Sequence, residues 1–290
     1  MSQLIANAFL SASIYALIGT GFSLIYRTSR FFHFAHGLVC AAGAYAGFFF
    51  AAELKVPLLI SIVIGVAVAV ILGWLMEVVV YRPLRFRGSS SLVMLLASLG
   101  VYIIGQNAIS LLFGDDTKIL RTAISRSFNI FGARMTSIQI IILLVSGLSL
   151  TALIIILRTT KVGVIVRAVA SDPELAVVTG VDINRARVWA MALGSALAAV
   201  AGILIGLDVN LVPTMGMHAL LMSVVAVIIG GIDRTFGAVV GAIFVGLLQH
   251  LGVWKLPTQW QDLIVFTALM AFLLIRPQGF LGRPLLKTIV

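Results

Sequence analysis

The feature that most constrains this chain is a series of nine apolar segments, each about 20 residues long. A helix needs about 20 consecutive apolar residues to cross the hydrocarbon core of a bilayer. The strands of a membrane barrel are shorter and alternate strictly between apolar and polar residues, which these segments do not. The sequence therefore predicts an all-α polytopic membrane protein with about nine transmembrane helices, forming a single domain over 1–290. The predicted spans are 4–26, 34–52, 57–80, 91–113, 136–157, 186–207, 217–232, 236–252 and 260–275.

Composition supports the same class. Hydrophobic residues make up 61% of the chain and charged residues only 10%, whereas soluble domains carry roughly 45–50% and about 25%. The net charge of +10 comes from basic residues scattered at span ends, without the basic domain that would indicate nucleic-acid binding. Such scattering is typical of the positive-inside bias of membrane proteins.

The distribution of Lys and Arg predicts an orientation. The connections after spans 1, 3, 5 and 7, together with the tail, hold 14 basic residues, and the other side holds 6. We therefore expect the richer side to be cytoplasmic, with the N-terminus outside and the C-terminus inside. Four of the six outside charges, Lys118, Arg121, Arg126 and Arg134, lie in the loop 114–135, which is the predicted docking face for an external partner.

Catalytic and nucleotide-binding motifs are missing from the sequence. It has no H-E-x-x-H, no G-x-S-x-G and no P-loop. His33 and His36 have no evident third partner for a metal. We expect neither enzymatic activity, nor a cofactor, nor a metal. The acidic residues lie near span ends, whereas ion-coupled carriers usually place an ionisable group deep in a span.

The connection between spans 5 and 6 carries helix signals outside the membrane. Asp172 or Ser171 can cap a helix that starts at Pro173 and carries Glu174 in its first turn, and Gly180 suits its left-handed end. Asp182 or Asn184 can then cap span 6. The helix would have about seven residues and one exposed face formed by Leu175, Val178 and Thr179. That face either docks on another protein or packs as a turn on its own bundle, because so short a helix is unstable alone.

The chain resembles the LivH-type permeases of ABC importers for branched-chain amino acids. In the connection just described, Gly163…Arg167-Ala168…Ala170…Asp172 and Ala176…Gly180-Val181 follow the family's coupling pattern, with Val164 replacing a basic residue. His33 replaces the Asn of N-F-A-H-G, and Asp233-Arg234 replaces small residues. The other matches are Phe34-Ala35-His36-Gly37, Glu77…Tyr81-Arg82-Pro83-Leu84-Arg85, Gln106-Asn107, Pro213…Gly216, Gly230-Gly231-Ile232, Phe236-Gly237-Ala238…Gly241 and Arg276-Pro277-Gln278-Gly279…Leu281-Gly282-Arg283.

The resemblance implies an inverted-repeat architecture, with spans 1–4 and 6–9 as repeats. It also implies four kinds of partner: a homologous second permease (LivM-like, a paralogue or a second copy), two cytoplasmic ABC ATPases, a periplasmic solute-binding protein and the lipid membrane. The solute would be a branched-chain amino acid or a related small amino acid or amide. The segment of about 161–185 would couple to the ATPases through Arg167, Ala168, Ser171, Asp172, Pro173, Glu174, Ala176 and Gly180.

The approaches to spans 2 and 7, His33 to Gly37 and Pro213 to His218, correspond in the two repeats, and broken helices of this kind commonly build substrate paths. Buried polar groups in a bundle can instead be interhelical contacts. Glu77 is expected to pair with Arg82 or Arg85. An autonomous carrier or channel for a small polar solute remains the alternative function. The translocation candidates are His36, Gly37, Gln106, Asn107, Pro213, Gly216, Gly230 and Gly231.

Overall fold

The structure, a computed structural model, describes residues 1–120, 126–130, 132–254 and 256–282. Of the basic residues used to predict orientation, Arg121, Lys255, Arg283 and Lys287 lie outside this part of the chain. Arg283 is also the last residue of the tail motif.

The described chain is almost entirely helical. Its α-helices are α1 (Ser2–Ser29), α2 (His36–Phe48), α3 (Leu58–Leu75), α4 (Arg82–Phe86), α5 (Ser91–Phe113), α6 (Ser137–Thr159), α7 (Lys161–Ser171), α8 (Pro173–Val178), α9 (Ile183–Asp208), α10 (Met215–Gly230), α11 (Thr235–Gly252) and α12 (Gln261–Ile275). Wider π-helical turns over Phe49–Glu53 and Met76–Tyr81 extend α2 and join α3 to α4, and a 3₁₀ turn over Thr258–Trp260 leads into α12.

Each of the nine predicted spans forms a helix, but the helices differ in length. In the described residues, seven helices are long and apolar enough to cross a membrane, including the continuous Leu58–Phe86. The other two are short: α2 has 13 residues before its π turn and α10 has 16. The irregular stretches 30–35 and 209–214 precede these two helices.

The two short helices lie at the centre of the bundle. Most side chains of α2 and α10 are buried, whereas α5, α6 and α12 expose many large apolar side chains, as expected of surfaces that face lipid. The packing follows a repeated scheme. Helix α2 packs on α3, α5 and α9, α10 packs on α11, α12 and α1, and α3 meets α9 as α11 meets α1.

A small β-hairpin departs from the all-helical prediction. Strands β1 (Ser127–Ile130) and β2 (Ala133–Thr136) pair antiparallel within the loop between α5 and α6. The Ser2 hydroxyl donates to the Gly132 carbonyl at 3.0 Å, and the Arg134 amide donates to the Gln3 side chain at 2.9 Å. The described part of the loop 114–135 is therefore hydrogen-bonded to the start of α1.

Candidate transport and coupling sites

The first turns of α2 and α10 meet at a pair of glycines. A Cβ on Gly216 would lie 1.9 Å from the Gly37 carbonyl oxygen, and one on Gly37 would lie 2.9 Å from the Gly216 carbonyl oxygen. Any side chain at Gly216 would therefore collide with the backbone of α2. The structure thus brings together the two approaches that the sequence singled out, and Pro213 is buried three residues before the contact.

The stretch 30–35 turns back into the bundle before α2 begins. Arg30 ends α1 in the left-handed conformation, with φ of 58°. The His36 ring then lies beside Gly21, since a Cβ on that glycine would be 3.2 Å from Nε2. Gly21 precedes the end of α1 by eight residues, or about 12 Å of helix. Helix α2 therefore starts well inside the bundle.

Ser98 and Tyr81, which the sequence did not predict to be site residues, hold this stretch in place. The Ser98 hydroxyl on α5 accepts a hydrogen bond from the Phe34 amide at 3.1 Å and lies 3.2 Å from the Phe32 carbonyl oxygen. The Tyr81 hydroxyl lies 3.0 Å from His33 Nδ1. The available signal for Ser98 was a serine in the interior of an apolar span. Tyr81 stood in a family motif but without a predicted partner.

The second irregular stretch, 209–214, is held differently. Leu211 and Lys118 exchange two backbone hydrogen bonds of 2.9 Å. The stretch before α10 is therefore hydrogen-bonded to the loop that follows α5. The predicted external loop and the break before α10 are in direct contact.

Three further translocation candidates are His36 at the start of α2 and the polar pair Gln106 and Asn107 on α5. His36 is fully buried and is therefore not open to solvent in this conformation. Asn107 is exposed on α5 and donates to the Ile103 carbonyl, while Gln106 is partly buried beside it. The preceding residue, Gly105, packs against Leu38, so α5 carries this polar pair alongside the start of α2.

Gly230 and Gly231 lie at the opposite end of α10. A Cβ on Gly230 would lie 1.8 Å from the Gly237 carbonyl oxygen, so this glycine allows α10 and α11 to approach closely. Gly231 has φ of 102°, a conformation that favours glycine. The structure gives both glycines packing roles and separates them from the contact between Gly37 and Gly216.

Glu77 forms an ion pair with Arg85, one of its two predicted partners. The other, Arg82, lies instead 5.5 Å from the ring centroid of Phe86. Glu77 is buried, with 1% of its side chain exposed. The π turn Met76–Tyr81 and the short α4 separate the two partners. The carboxylate is thereby fixed inside the end of a span.

The connection between α6 and α9 contains the predicted short helix. The Asp172 side chain accepts hydrogen bonds from the amides of Glu174 and Leu175 at 3.0 and 3.1 Å, and Pro173 is the first residue of α8. Gly180 follows with φ of 81°. Asp182 then caps α9. The residues proposed as helix signals therefore occupy those positions, although α7 before them was not predicted.

Helix α8 has a buried side and an exposed apolar side. Ala176 is 3% exposed and packs with Val169 of α7 and Ala186 of α9. Leu175 and Val178 are 60% and 84% exposed. Ala176 was predicted to contact the ATPase, but the structure places it inside the segment, where it holds α8 in position.

The remaining coupling candidates lie around α8. Arg167, Ser171 and Glu174 are exposed, and Ala168 is partly buried. The Arg167 Nε donates to the Gly163 carbonyl at 3.4 Å. Among the described residues, no three His, Cys, Asp or Glu side chains are grouped so as to hold a metal.

Comparison with known proteins gives consistent matches along the chain. The family described as "Branched-chain amino acid transport system / permease component" matches residues 4–274. The high-affinity branched-chain amino acid transport system permease protein LivH of Escherichia coli (strain K12) is 32% identical, and the alignment covers 97% of this chain and 96% of the relative. BraD of Pseudomonas aeruginosa, described as the same kind of permease protein, is 30% identical with the same coverage.

A solved structure shares the fold. A chain in the structure of PsaBC from Streptococcus pneumoniae in complex with Fab superposes with a TM-score of 0.53 at 12% identity. The match covers 94% of this chain and 91% of that chain. The membrane-length helices of the structure and the family match lead to the same conclusion. The chain is therefore a multi-pass membrane protein that belongs to the permease components of branched-chain amino acid transport systems, and it is a membrane subunit, not the ATPase.

Proposed function

We propose that this chain is the membrane-spanning permease subunit of an ATP-driven importer. Its solute would be a branched-chain amino acid or a related small amino acid or amide, delivered by a periplasmic binding protein. Two cytoplasmic ABC ATPases would drive transport, and a homologous LivM-like permease or a second copy would complete the membrane part. The similarity to LivH and BraD over nearly the whole chain supports this assignment.

The observation that carries the proposal is the exposed apolar face of α8. A helix of six residues cannot persist alone in water, yet α8 is capped at Asp172, stopped before Gly180 and anchored through Ala176. The same construction leaves Leu175 and Val178 uncovered. A rigid projection with an apolar tip suits insertion into a groove of a partner. Helix α8, within the coupling segment 161–185, would be that projection.

The packing scheme supports an inverted repeat. The exchange pairs α1 with α9, α2 with α10, α3 with α11 and α5 with α12. It turns the contacts of α2 with α3, α5 and α9 into the contacts of α10 with α11, α12 and α1, and the contact of α3 with α9 into that of α11 with α1. Helix α6 belongs to neither group of four helices and would be the connector between the two repeats. In this arrangement α2 and α10 begin at one point and lead to opposite sides of the membrane.

The meeting point of α2 and α10 supports a transport path. Two helix N-termini converge at Gly37 and Gly216, and helix N-termini attract anions through their free amides and dipoles. An amino-acid carboxylate could pass there without a buried charged side chain. Because His36 is closed off in this conformation, the path would open when α2 and α10 move relative to each other. Gln106 and Asn107 would line its side.

The proposed orientation places the loop 114–135 outside and α8 inside. The bias of 14 basic residues over 6 supports it. The hairpin of β1 and β2, together with the Lys118–Leu211 pairing, would then form an ordered outer face for the binding protein. The connection carrying α7 and α8 would face the cytoplasm.

The test of the proposal is association with the ATPase. Replacing Leu175 and Val178 with Asp adds two charges to the apolar tip, and these would be desolvated on docking. We expect at least a tenfold weaker association of the ATPase with the purified permease. Val164→Asp is the matched control, because Val164 is an exposed valine on α7, outside this face. Unchanged association of the double variant would favour an autonomous carrier or channel.

A further inference from the structure

A cleft of about 270 Å³ opens between α6 and α11, with α1 behind it. Helices α6 and α11 both pack on α1, which leaves this space between them. Apart from a threonine at each end and two arginines, the walls are apolar. They consist of Thr20, Leu150, Leu153, Ile154, Leu157, Arg158, Arg167, Thr235, Phe236 and Val239.

The cleft is polar at one end and apolar along its depth. Arg158 is the second-last residue of α6 and Arg167 belongs to α7, and both are exposed where they line the cleft, so the arginines mark its mouth. From Arg158 to Leu150 the wall extends over eight residues, or about 12 Å of helix. Thr20 lies nine residues before the end of α1, at a similar depth. One leaflet contributes about 15 Å of hydrocarbon, so the cleft is about as deep as one leaflet.

Within the described ranges, no carboxylate forms an ion pair with the two arginines at the mouth. These ranges contain every Asp and Glu of the chain. Guanidinium groups bind phosphate through paired charge-assisted hydrogen bonds. Two such groups above an apolar slot therefore match a phosphate that carries an acyl chain.

We propose that this cleft binds an anionic phospholipid, with the phosphate at Arg158 and Arg167 and one acyl chain between α6 and α11. A soluble protein cannot reach the apolar part at membrane depth. A helix of a second permease could cover the rim at Phe236, but it would leave the two guanidinium groups unmatched. The inference requires only the membrane location of the chain and is independent of the transported solute.

Native mass spectrometry of the purified chain in detergent measures this binding. Wild-type protein should retain dioleoyl phosphatidylglycerol in preference to dioleoyl phosphatidylcholine. Arg158→Gln with Arg167→Gln should reduce that preference about 25-fold, at about fivefold for each arginine near the membrane surface. Arg185→Gln should leave it unchanged, since Arg185 is exposed, outside the cleft and paired with Asp182.

A second pair of variants tests the slot without changing charge. Ile154→Trp places a larger side chain in the cleft wall and should narrow the slot enough to displace the acyl chain of either lipid. Ile155→Trp should leave both lipids bound, because Ile155 is also exposed but does not line the cleft. The proposal would be overturned if Arg185→Gln lost as much lipid preference as the double arginine variant. Unaltered lipid binding in both the double arginine variant and Ile154→Trp would also overturn it.

Two further outcomes would also overturn it. Displacement of the lipid by millimolar inorganic phosphate would indicate a simple anion site. Cross-linking of Phe236→Cys to a second permease in the assembled complex, with the lipid excluded, would indicate a protein interface.

Discussion

The ion pair between Glu77 and Arg85 shows what single residues must satisfy inside this bundle. Glu77 is almost completely buried, and a buried carboxylate without its cation is costly. The sequence predicted this pair from the spacing of charges at the end of a span. It could not predict which of two arginines was the partner, since the π turn Met76–Tyr81 decides where each one points.

Glu77→Gln tests the pair. We expect a loss of about 3 kcal/mol in the free energy of unfolding, because Arg85 would keep its charge in a buried site. Arg185→Gln is the matched control, since it removes one partner of the exposed pair with Asp182 and should cost less than about 1 kcal/mol. Thermal unfolding in detergent measures both changes. Wild-type stability in Glu77→Gln would show that the pair does not hold this span end.

At the scale of elements, the sequence predicted all nine apolar helices and the capping residues of α8. Span 91–113 agrees with α5 at both ends. Hydropathy did not predict the irregular backbone of 30–35 and 209–214, because these stretches adjoin or overlap apolar runs and apolar residues need not be helical. Helix α7 was missed because its residues were assigned to a connection. The hairpin was missed because four-residue strands in a charged loop carry little signal.

The contact between α2 and α10 depends on the absence of a side chain. Gly216→Val would place its Cβ within 1.9 Å of the Gly37 carbonyl, and overpacking of this kind typically costs about 1–3 kcal/mol. We expect a lower unfolding temperature and slower uptake of every solute. Gly147→Ala is the control, since a Cβ there meets nothing within 4 Å and alanine favours helix. Equal unfolding temperatures for Gly216→Val and wild type would contradict this contact.

At the scale of the molecule, the proposed function gives the chain two tasks, to form a scaffold for the path and to present α8 to the ATPase, and neither task requires solute-specific side chains. The candidate path uses helix ends and glycines, with His36 enclosed. Tight binding in mid-path would also slow release, at about tenfold for each 1.4 kcal/mol. Solute selection is therefore expected in the external binding protein. The sequence predicted the two breaks and the capping residues of α8, while the coupling role stays a prediction. It did not distinguish the glycine contact between α2 and α10 from the packing glycines Gly230 and Gly231, because glycine has the same appearance in the sequence in either role.

Uptake of leucine by the complete importer in proteoliposomes tests the central claim most directly. We expect accumulation that requires ATP, the ATPases and the binding protein, and that falls at least tenfold in the variant with Asp at positions 175 and 178. Val164→Asp should transport normally. Exchanging the binding protein should change the imported solute more than His36→Ala does. Leucine accumulation without the ATPases, or wild-type uptake by the Asp-substituted variant, would contradict the account.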